Sequence, residues 1–360
     1  MKRFFKENYK VIICVCVLLG LLAICLAVSP KSPLTTTSQN DSEGLKSGTG
    51  VVNYTLFDTV SYVYTYANDK KEVFDANCEE VWSILAEYHQ LFDIYHEYSG
   101  INNLCTLNKN AGKEALEVSP KLIDFLLYAK ELYVLTDGEM NIMMGAVLSL
   151  WHDAREAGNY IPSEKALTEA SKHISFDCLE IDEEKNTVRI TDKDARIDVG
   201  ALGKGYATEI AAQHLESKGV TSYVLNIGGN IRIIGTKPDG SGWGTGIKNP
   251  QNPSSFIEKI TISDISCVTS GDYERYITVG GKKYHHIIDK DTLMPADYFS
   301  SVTILTKDSG LADCLSTALF CMSYEEGLAL VEKIGNVDVL WVRADGSTEM
   351  TGGFEARLMK

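Results

Sequence analysis

Positive charge is scarce in this chain: 34 Lys and Arg stand against 49 Asp and Glu among 360 residues, for a formal net charge of −15. Without the first 28 residues, which carry four basic side chains and one acidic, the remainder stands at −18. So few cations exclude a surface built for the phosphate backbone of nucleic acid. Zinc-type cysteine spacing is missing too. Beyond residue 28 the cysteines are Cys78, Cys105, Cys178, Cys267, Cys314 and Cys321. They fall into no metal-binding pattern, and a chain this long does not need a disulfide framework. Buried free thiols are the expectation, with any pairing left open. No repeat of solenoid length is visible. The two common nucleotide loops are also absent. Around Gly200 the glycines run G-x-x-G-x-G, the reverse of the dinucleotide order, and Lys204 is followed by Gly205 where a Walker loop has Ser or Thr. An acidic chain that takes an anionic ligand must therefore gather its few cations locally or borrow a metal.

One long apolar run is present. Lys2, Arg3, Lys6 and Lys10 precede an uncharged stretch from residue 11 to 28, which as a helix would span roughly 27 Å, close to the hydrocarbon thickness of a bilayer. Basic residues before it and an acidic domain after it predict a cytoplasmic N-terminus with the rest outside. An uncleaved membrane anchor is the preferred reading of residues 1–28. Lipidation of Cys25 fits poorly behind the bulky Ile24, and cleavage after Ala27 would give a secreted form. All three place the domain on the extracytoplasmic side. Residues 29–50 lack apolar periodicity and predict a flexible linker, leaving 51–360 as the folded domain.

Residues 54–67 are rich in aromatic and β-branched side chains and predict a strand. Val73, Val81, Ile84, Leu85, Tyr88 and Leu91 give residues 70–92 a helical period. Ser119 as N-cap with Pro120 behind it starts a helix that runs to about Thr136. An amphipathic helix is expected over 206–218, then a series of short strands, two more helices over 310–322 and 324–334, and a last strand. Strands and helices mix without strict alternation, which predicts an α+β domain of mixed sheets with flanking helices.

Three runs put glycines or small polar residues where strands end: residues 198–206 (DVGALGKGY), 226–230 (NIGGN), and 269–273 (TSGDY) leading to 284–289 (YHHIID). Such places let backbone approach a bulky anion. In the first run a helix N-terminus and Lys204 offer N–H groups and positive charge, although a solvated glycine-rich turn has the same appearance. Asp313 and Thr317, four apart, present a carboxylate and a hydroxyl on one helix face. Those are hard oxygen donors suited to Mg²⁺, or alternatively a buried Asp that holds a loop. His285 and His286 alternate on a strand, so only one can face a site, where a neutral imidazole could take a proton from an attacking hydroxyl.

Together and in this order, the three runs and 312–317 (ADCLST) resemble the FAD:protein FMN transferases, the ApbE family, over nearly all of 51–360. Tyr95 and Ser99 are similar to its Tyr-x-x-x-Ser segment, and Leu107-Asn108 to the Leu-Asn that follows. The resemblance implies that Ala201 (through its carbonyl), Asp313 and Thr317 hold Mg²⁺. It also implies that Asp198, Lys204 and His285 contact FAD and that His286 stands at the scissile pyrophosphate. Glu139, Met140 and Asn141 match a segment lining the flavin or adenine, and Phe57 and Tyr95 match further contacts. The chain departs from the family pattern at Met140-Asn141, where Phe-Asp is usual, and at Gly145-Ala146, Lys290 and Leu293-Met294. The implied reaction moves the FMN half of FAD onto a Ser or Thr hydroxyl of an acceptor flavoprotein of membrane electron transport, with release of AMP. The acceptor would carry a Ser/Thr-Gly-Ala-Thr segment. This chain has none, Ser47-Gly-Thr-Gly50 being a near miss, and so reads as donor. The alternatives are an FAD pyrophosphatase with water as nucleophile, and a non-catalytic flavin-binding module. Storage alone would need neither Asp313 and Thr317 nor His286.

Overall fold

The computed structural model describes residues 49–67 and 69–360. The expected anchor, and the expected linker up to residue 48, lie outside the described residues. Among the described residues no helix is long and apolar enough to cross a membrane.

An eight-stranded antiparallel sheet forms the centre of the α+β fold. Its strands are Thr49–Asn53, Ser61–Thr65, Tyr223–Ile227, Asn230–Ile234, Ser266–Gly271, Ser301–Thr306, Asp338–Val342 and Thr348–Met350, and they lie in space in chain order. The other elements are inserted between neighbours of this meander, except helix Gly352–Glu355, which follows it. Strand Ser301–Thr306 is buried along its whole length, and its side chains alternate between two faces as the strand period demands. Val302 and Ile304 pack with Val339 and Trp341 under the helices Ser309–Ala318 and Tyr324–Ile334. Leu305, with Leu340 and Val342, faces the opposite side, against Trp243 and Ile260 of the ribbon Trp243–Asn249/Asn252–Ile262.

The largest insertion lies between Ser61–Thr65 and Tyr223–Ile227. Its helix Lys71–Phe92 buries Val81, Leu85, Tyr88 and Leu91 as the helical spacing predicts, but Phe74 and Cys78 complete the buried face while Val73 is exposed and Ile84 only half-buried. Helix Pro120–Leu135 starts at Ser119, whose side chain accepts from the Lys121 amide, and is capped by Thr136 at its end. The expected strand over 54–67 is broken, however. Only Ser61–Thr65 of it forms, after a turn at which Phe57 (φ 55°) and Asp58 (φ 49°) both take left-handed backbone, and its neighbour Thr49–Asn53 begins inside the expected linker. β-Propensity alone cannot show that turn, because Asp58 is a common occupant of left-handed backbone but Phe57 is not. The six cysteines of the folded part are free, five of them buried.

One charge is completely buried. Arg232, on strand Asn230–Ile234, donates to Glu209 Oε2 at 3.1 Å and Glu216 Oε1 at 2.7 Å, and its Nη1 also donates to the Ile233 carbonyl. Glu209 in turn accepts from the Ser309 amide at 2.9 Å, so the cluster ties the sheet to two helices. Arg232→Ala would leave Glu209 buried without its cation and is expected to cost about 3–5 kcal/mol. Chemical denaturation measures it, and a loss under about 1 kcal/mol would show that water reaches the cluster.

Candidate active site

The chemistry collects where helix Gly203–Ser217 begins. Asp198 Oδ1 accepts from the Gly200 amide at 2.9 Å, Val199 O accepts from the Gly203 amide at 2.8 Å, and Lys204 Nζ reaches Gly200 O at 3.2 Å. The segment before the helix is not the strand expected there, pairing only by a single bridge between Met144 and Arg196. Gly205 is the pivot. A Cβ there would lie 2.3 Å from Ser309 O and 2.4 Å from Asp313 Cβ, so only glycine lets helix Ser309–Ala318 come this close. Its amide turns to Asp313 Oδ2 at 2.8 Å. The Ala201 carbonyl, which that amide would ordinarily take, accepts no hydrogen bond among the described residues.

Asp313 Oδ2 also accepts from Asn230 Nδ2 at 3.0 Å. Asn230 is delivered by the two-residue turn Gly228-Gly229 (φ 60° and 96°), and a side chain at Gly228 would strike Thr59 Oγ1 at 2.5 Å. Two of the glycine runs therefore converge on one buried carboxylate. Its Oδ1 takes no hydrogen bond, and Asp313 makes no ion pair, among the described residues. Thr317 lies one turn further along the same helix, with Oγ1 3.3 Å from the hydroxyl of Ser270, which belongs to the third run. An unused carboxylate oxygen, an unused carbonyl and a hydroxyl make a donor set that fits a hard divalent cation such as Mg²⁺.

The two histidines separate because strand Lys282–His285 ends at the first and the chain bends at His286, and His285 corrects an expectation. It is buried, Nε2 donates to Ala296 O at 2.8 Å, Nδ1 accepts from the Ile287 amide at 3.2 Å, and the ring packs edge-on to Phe320. Both nitrogens are used by backbone, so His285 fixes the loop and offers nothing to a ligand. His286 faces the other way. Neither ring nitrogen has a partner among the described residues; Nδ1 is fully buried, which leaves Nε2 with access to solvent. Burial, helped by Arg275, Arg155, His285 and Lys204, pushes its pKa down to about 3, so it is neutral near physiological pH.

Tyr95 stands on a loop organised by Asp93, which accepts from the amides of Tyr95 and His96 and from the Tyr98 hydroxyl. Its ring lies 5.3 Å from that of His152, with the hydroxyl 3.4 Å from Nδ1. Burial raises the Tyr95 pKa, with Asp198 adding to the rise and Arg155 and Arg275 opposing it. The Asp198 carboxyl is likewise raised by burial, against Arg155, His152 and Lys204. Tyr95, Asp198, Lys204 and His286 thus share one environment. Phe57 occupies the left-handed turn, its amide donating to His89 Nδ1 at 3.3 Å and its ring edge-on to the same histidine.

In the segment 139–141 the roles divide. Glu139 pairs with Lys290 at 3.0 Å, and burial raises its pKa despite that lysine. Lys290, the departure from the family's proline, is thus matched to a carboxylate. Met140 is core, 3% exposed, so its side chain does not line a ligand site as expected. Asn141 donates through Nδ2 to Ile174 O at 2.9 Å and accepts from the Met143 amide at the same distance. Asn141→Asp, which would restore the family's carboxylate, sets it against the Ile174 carbonyl. Thermal unfolding should show a loss of about 1–3 kcal/mol, whereas a gain in flavin affinity would mean the carboxylate belongs to the ligand site.

Sequence reasoning missed Arg155, Arg275 and His152. No motif carries Arg155 or His152. Arg275 lies two residues past the Thr269–Tyr273 run, and the scarcity of cations was the one signal that pointed to it.

Oxygen donors at Asp313, Thr317 and the Ala201 carbonyl, with Lys204, Arg155, Arg275 and a neutral His286, make a set of groups suited to a phosphate-bearing ligand. The chain belongs to the ApbE family, whose model matches residues 49–341. It is 31% identical over 256 residues to the FAD:protein FMN transferase of Vibrio cholerae, covering 70% of this chain and 75% of the relative. With the FAD:protein FMN transferase of Treponema pallidum it shares 29% over 321 residues, 84% of this chain and 87% of the other. The crystal structure of the ApbE protein from Thermotoga maritima superposes with a TM-score of 0.77 at 28% identity, over 87% of this chain and all of that one.

Proposed function

We propose that this member of the ApbE family is a flavinyltransferase that moves the FMN half of FAD onto a Ser or Thr hydroxyl of an acceptor protein and releases AMP. The observation that carries the reading is the convergence of Gly205 and Asn230 on Asp313, with Thr317 and its Ser270 contact one turn along the same helix. Ala201, through its carbonyl, Asp313 and Thr317 would hold Mg²⁺, which when bound neutralises charge on the pyrophosphate oxygens. His286 Nε2 takes the proton of the acceptor hydroxyl. The hydroxyl oxygen bonds to the FMN-side phosphorus, the bridging P–O bond breaks, and its electron pair leaves with AMP. Lys204 and the amides at the start of helix Gly203–Ser217 stabilise the negative charge of the substrate. Tyr95 is 56% exposed, placed to contact an incoming flavin or acceptor.

The organisation proposed alongside is an anchor over 1–28 and a linker over 29–48, with the transferase domain outside the cytoplasm. Its acceptor would be a flavoprotein of membrane electron transport bearing a Ser/Thr-Gly-Ala-Thr segment. The test mixes the protein with FAD, Mg²⁺ and such an acceptor and views a denaturing gel under ultraviolet light. A fluorescent acceptor band that requires Mg²⁺ and accompanies AMP is the expected result. AMP and free FMN without the band would replace the proposal with a pyrophosphatase, and FAD bound but unconsumed would replace it with a binding module.

A further inference from the structure

Seven arginines fall among the described residues, and five are engaged. Arg189 pairs with Glu180, Arg232 with Glu209 and Glu216, Arg343 with Glu349, Arg357 with Asp338, and Arg196 donates to two carbonyls. Arg155 and Arg275 make no hydrogen bond and no ion pair among the described residues. In a chain with a surplus of carboxylates, an arginine without one is out of the ordinary. Two of them side by side also repel each other, as the lowered Arg155 pKa reflects, burial being the larger cause.

The fold brings them together deliberately far from each other in sequence. Tyr276 pairs with His285 in the hairpin Tyr276–Val279/Lys282–His285, so Arg275 stands opposite His286 just beyond the ladder. Arg155 comes from helix Gly145–Ala157, which is docked on the same hairpin. There Trp151 stacks on Tyr284 at 6.0 Å, and its Nε1 donates to Leu293 O at 2.9 Å. Three and four residues on from His152 and Trp151, Arg155 shares their helix face, beside the Tyr95 that His152 touches. Two guanidinium groups from unrelated segments thus flank His286 and its unpartnered ring, with Asp198 and Glu156 as the carboxylates near enough to offset Arg155.

We propose that Arg155 and Arg275 form a clamp for the phosphoryl group on the FMN side of FAD, the group that is transferred. The proposal rests on the flavin-transfer reading above. Guanidinium forks match the non-bridging oxygens of a phosphoryl group, and their donors are in place before the charge redistributes. Their position selects which phosphate they hold. They flank the histidine that activates the attacking hydroxyl, and attack takes place at the FMN-side phosphorus. In-line displacement then puts the leaving AMP oxygen on the side of the phosphorus away from the attacking hydroxyl. After transfer the clamped phosphoryl is the diester joining FMN to the acceptor, still anionic, so the clamp holds product as well as substrate.

The test uses the full chain in detergent with Mg²⁺ held constant, and compares the unaltered protein with R155Q and R275Q. Dissociation constants for FMN, riboflavin and AMP are read by flavin fluorescence and calorimetry, and kcat for FAD consumption is followed alongside. Each variant is expected to weaken FMN by roughly tenfold or more, to leave riboflavin and AMP within about twofold, and to lower kcat by roughly 10- to 100-fold. R155K and R275K, which keep the charge without the fork, should fall between. Thermal midpoints should not drop, because neither arginine holds the fold. Unchanged FMN affinity would overturn the clamp, and weakened AMP with unchanged FMN would overturn its assignment to the transferred half. An unaltered protein that binds neither FMN nor FAD would remove the flavin reading and the clamp with it.

Discussion

Asp313→Asn is expected to lower Mg²⁺-dependent flavin transfer by at least about a thousandfold while the protein stays folded, since a bound metal ion supplies several kcal/mol of charge stabilisation. Asparagine is the informative replacement. Its Oδ1 can still accept from the Gly205 amide and from Asn230, the two bonds that Asp313 Oδ2 takes at 2.8 and 3.0 Å, so the helix junction survives. What disappears is the negative charge that would draw a divalent cation to Oδ1 and to the Ala201 carbonyl. Asp313→Ala should be equally inactive and also less stable, because two buried donors lose their acceptor at about 1–3 kcal/mol each. Transfer assays across a magnesium titration, with thermal unfolding of both variants, separate the effects. Retained magnesium-dependent turnover in the asparagine variant would remove the metal assignment.

The two replacements differ because Asp313 serves two ends, and this bears on how much of the site was legible in the chain. The glycine runs were readable because backbone approach demands glycine, and the structure uses Gly205 and Gly228 for close contacts of that kind. The helices were readable where caps and apolar spacing agreed, as at Ser119 and over Lys71–Phe92. The turn at Phe57 was not, since left-handed backbone at an aromatic residue is imposed by tertiary packing and leaves no mark in propensity. His285 and Met140 sit within matched motifs yet point into the core, because a motif records a stretch of backbone while each side chain's direction depends on the neighbouring element. Arg155 was beyond reach for the opposite reason. Its meaning comes from its having no ion pair or hydrogen bond among the described residues, and a missing contact in space has no counterpart along a sequence.

His286→Ala is expected to keep FAD affinity within a few fold and to lose roughly 10²- to 10⁴-fold in transfer, the usual contribution of a positioned base. The pH dependence follows from its surroundings. The side chain works neutral, and burial with Arg275, Arg155, His285 and Lys204 around it holds its pKa near 3 in the free protein. Acidification should therefore not protonate it in the ordinary histidine range, and kcat/KM, which reports free enzyme, should show no His286 limb near pH 6.5. In R155Q or R275Q one cation is gone, protonation becomes easier, and the acid limb should move upward in pH. A base held that low is neutral but weak. The pyrophosphate of FAD, arriving between the guanidinium groups, offsets their field and restores basicity, so kcat, which reports the bound complex, should carry an acid limb at higher pH than kcat/KM does. Coincident limbs in the two profiles would contradict this substrate-assisted activation, and full transfer by the alanine variant would assign the proton to another acceptor.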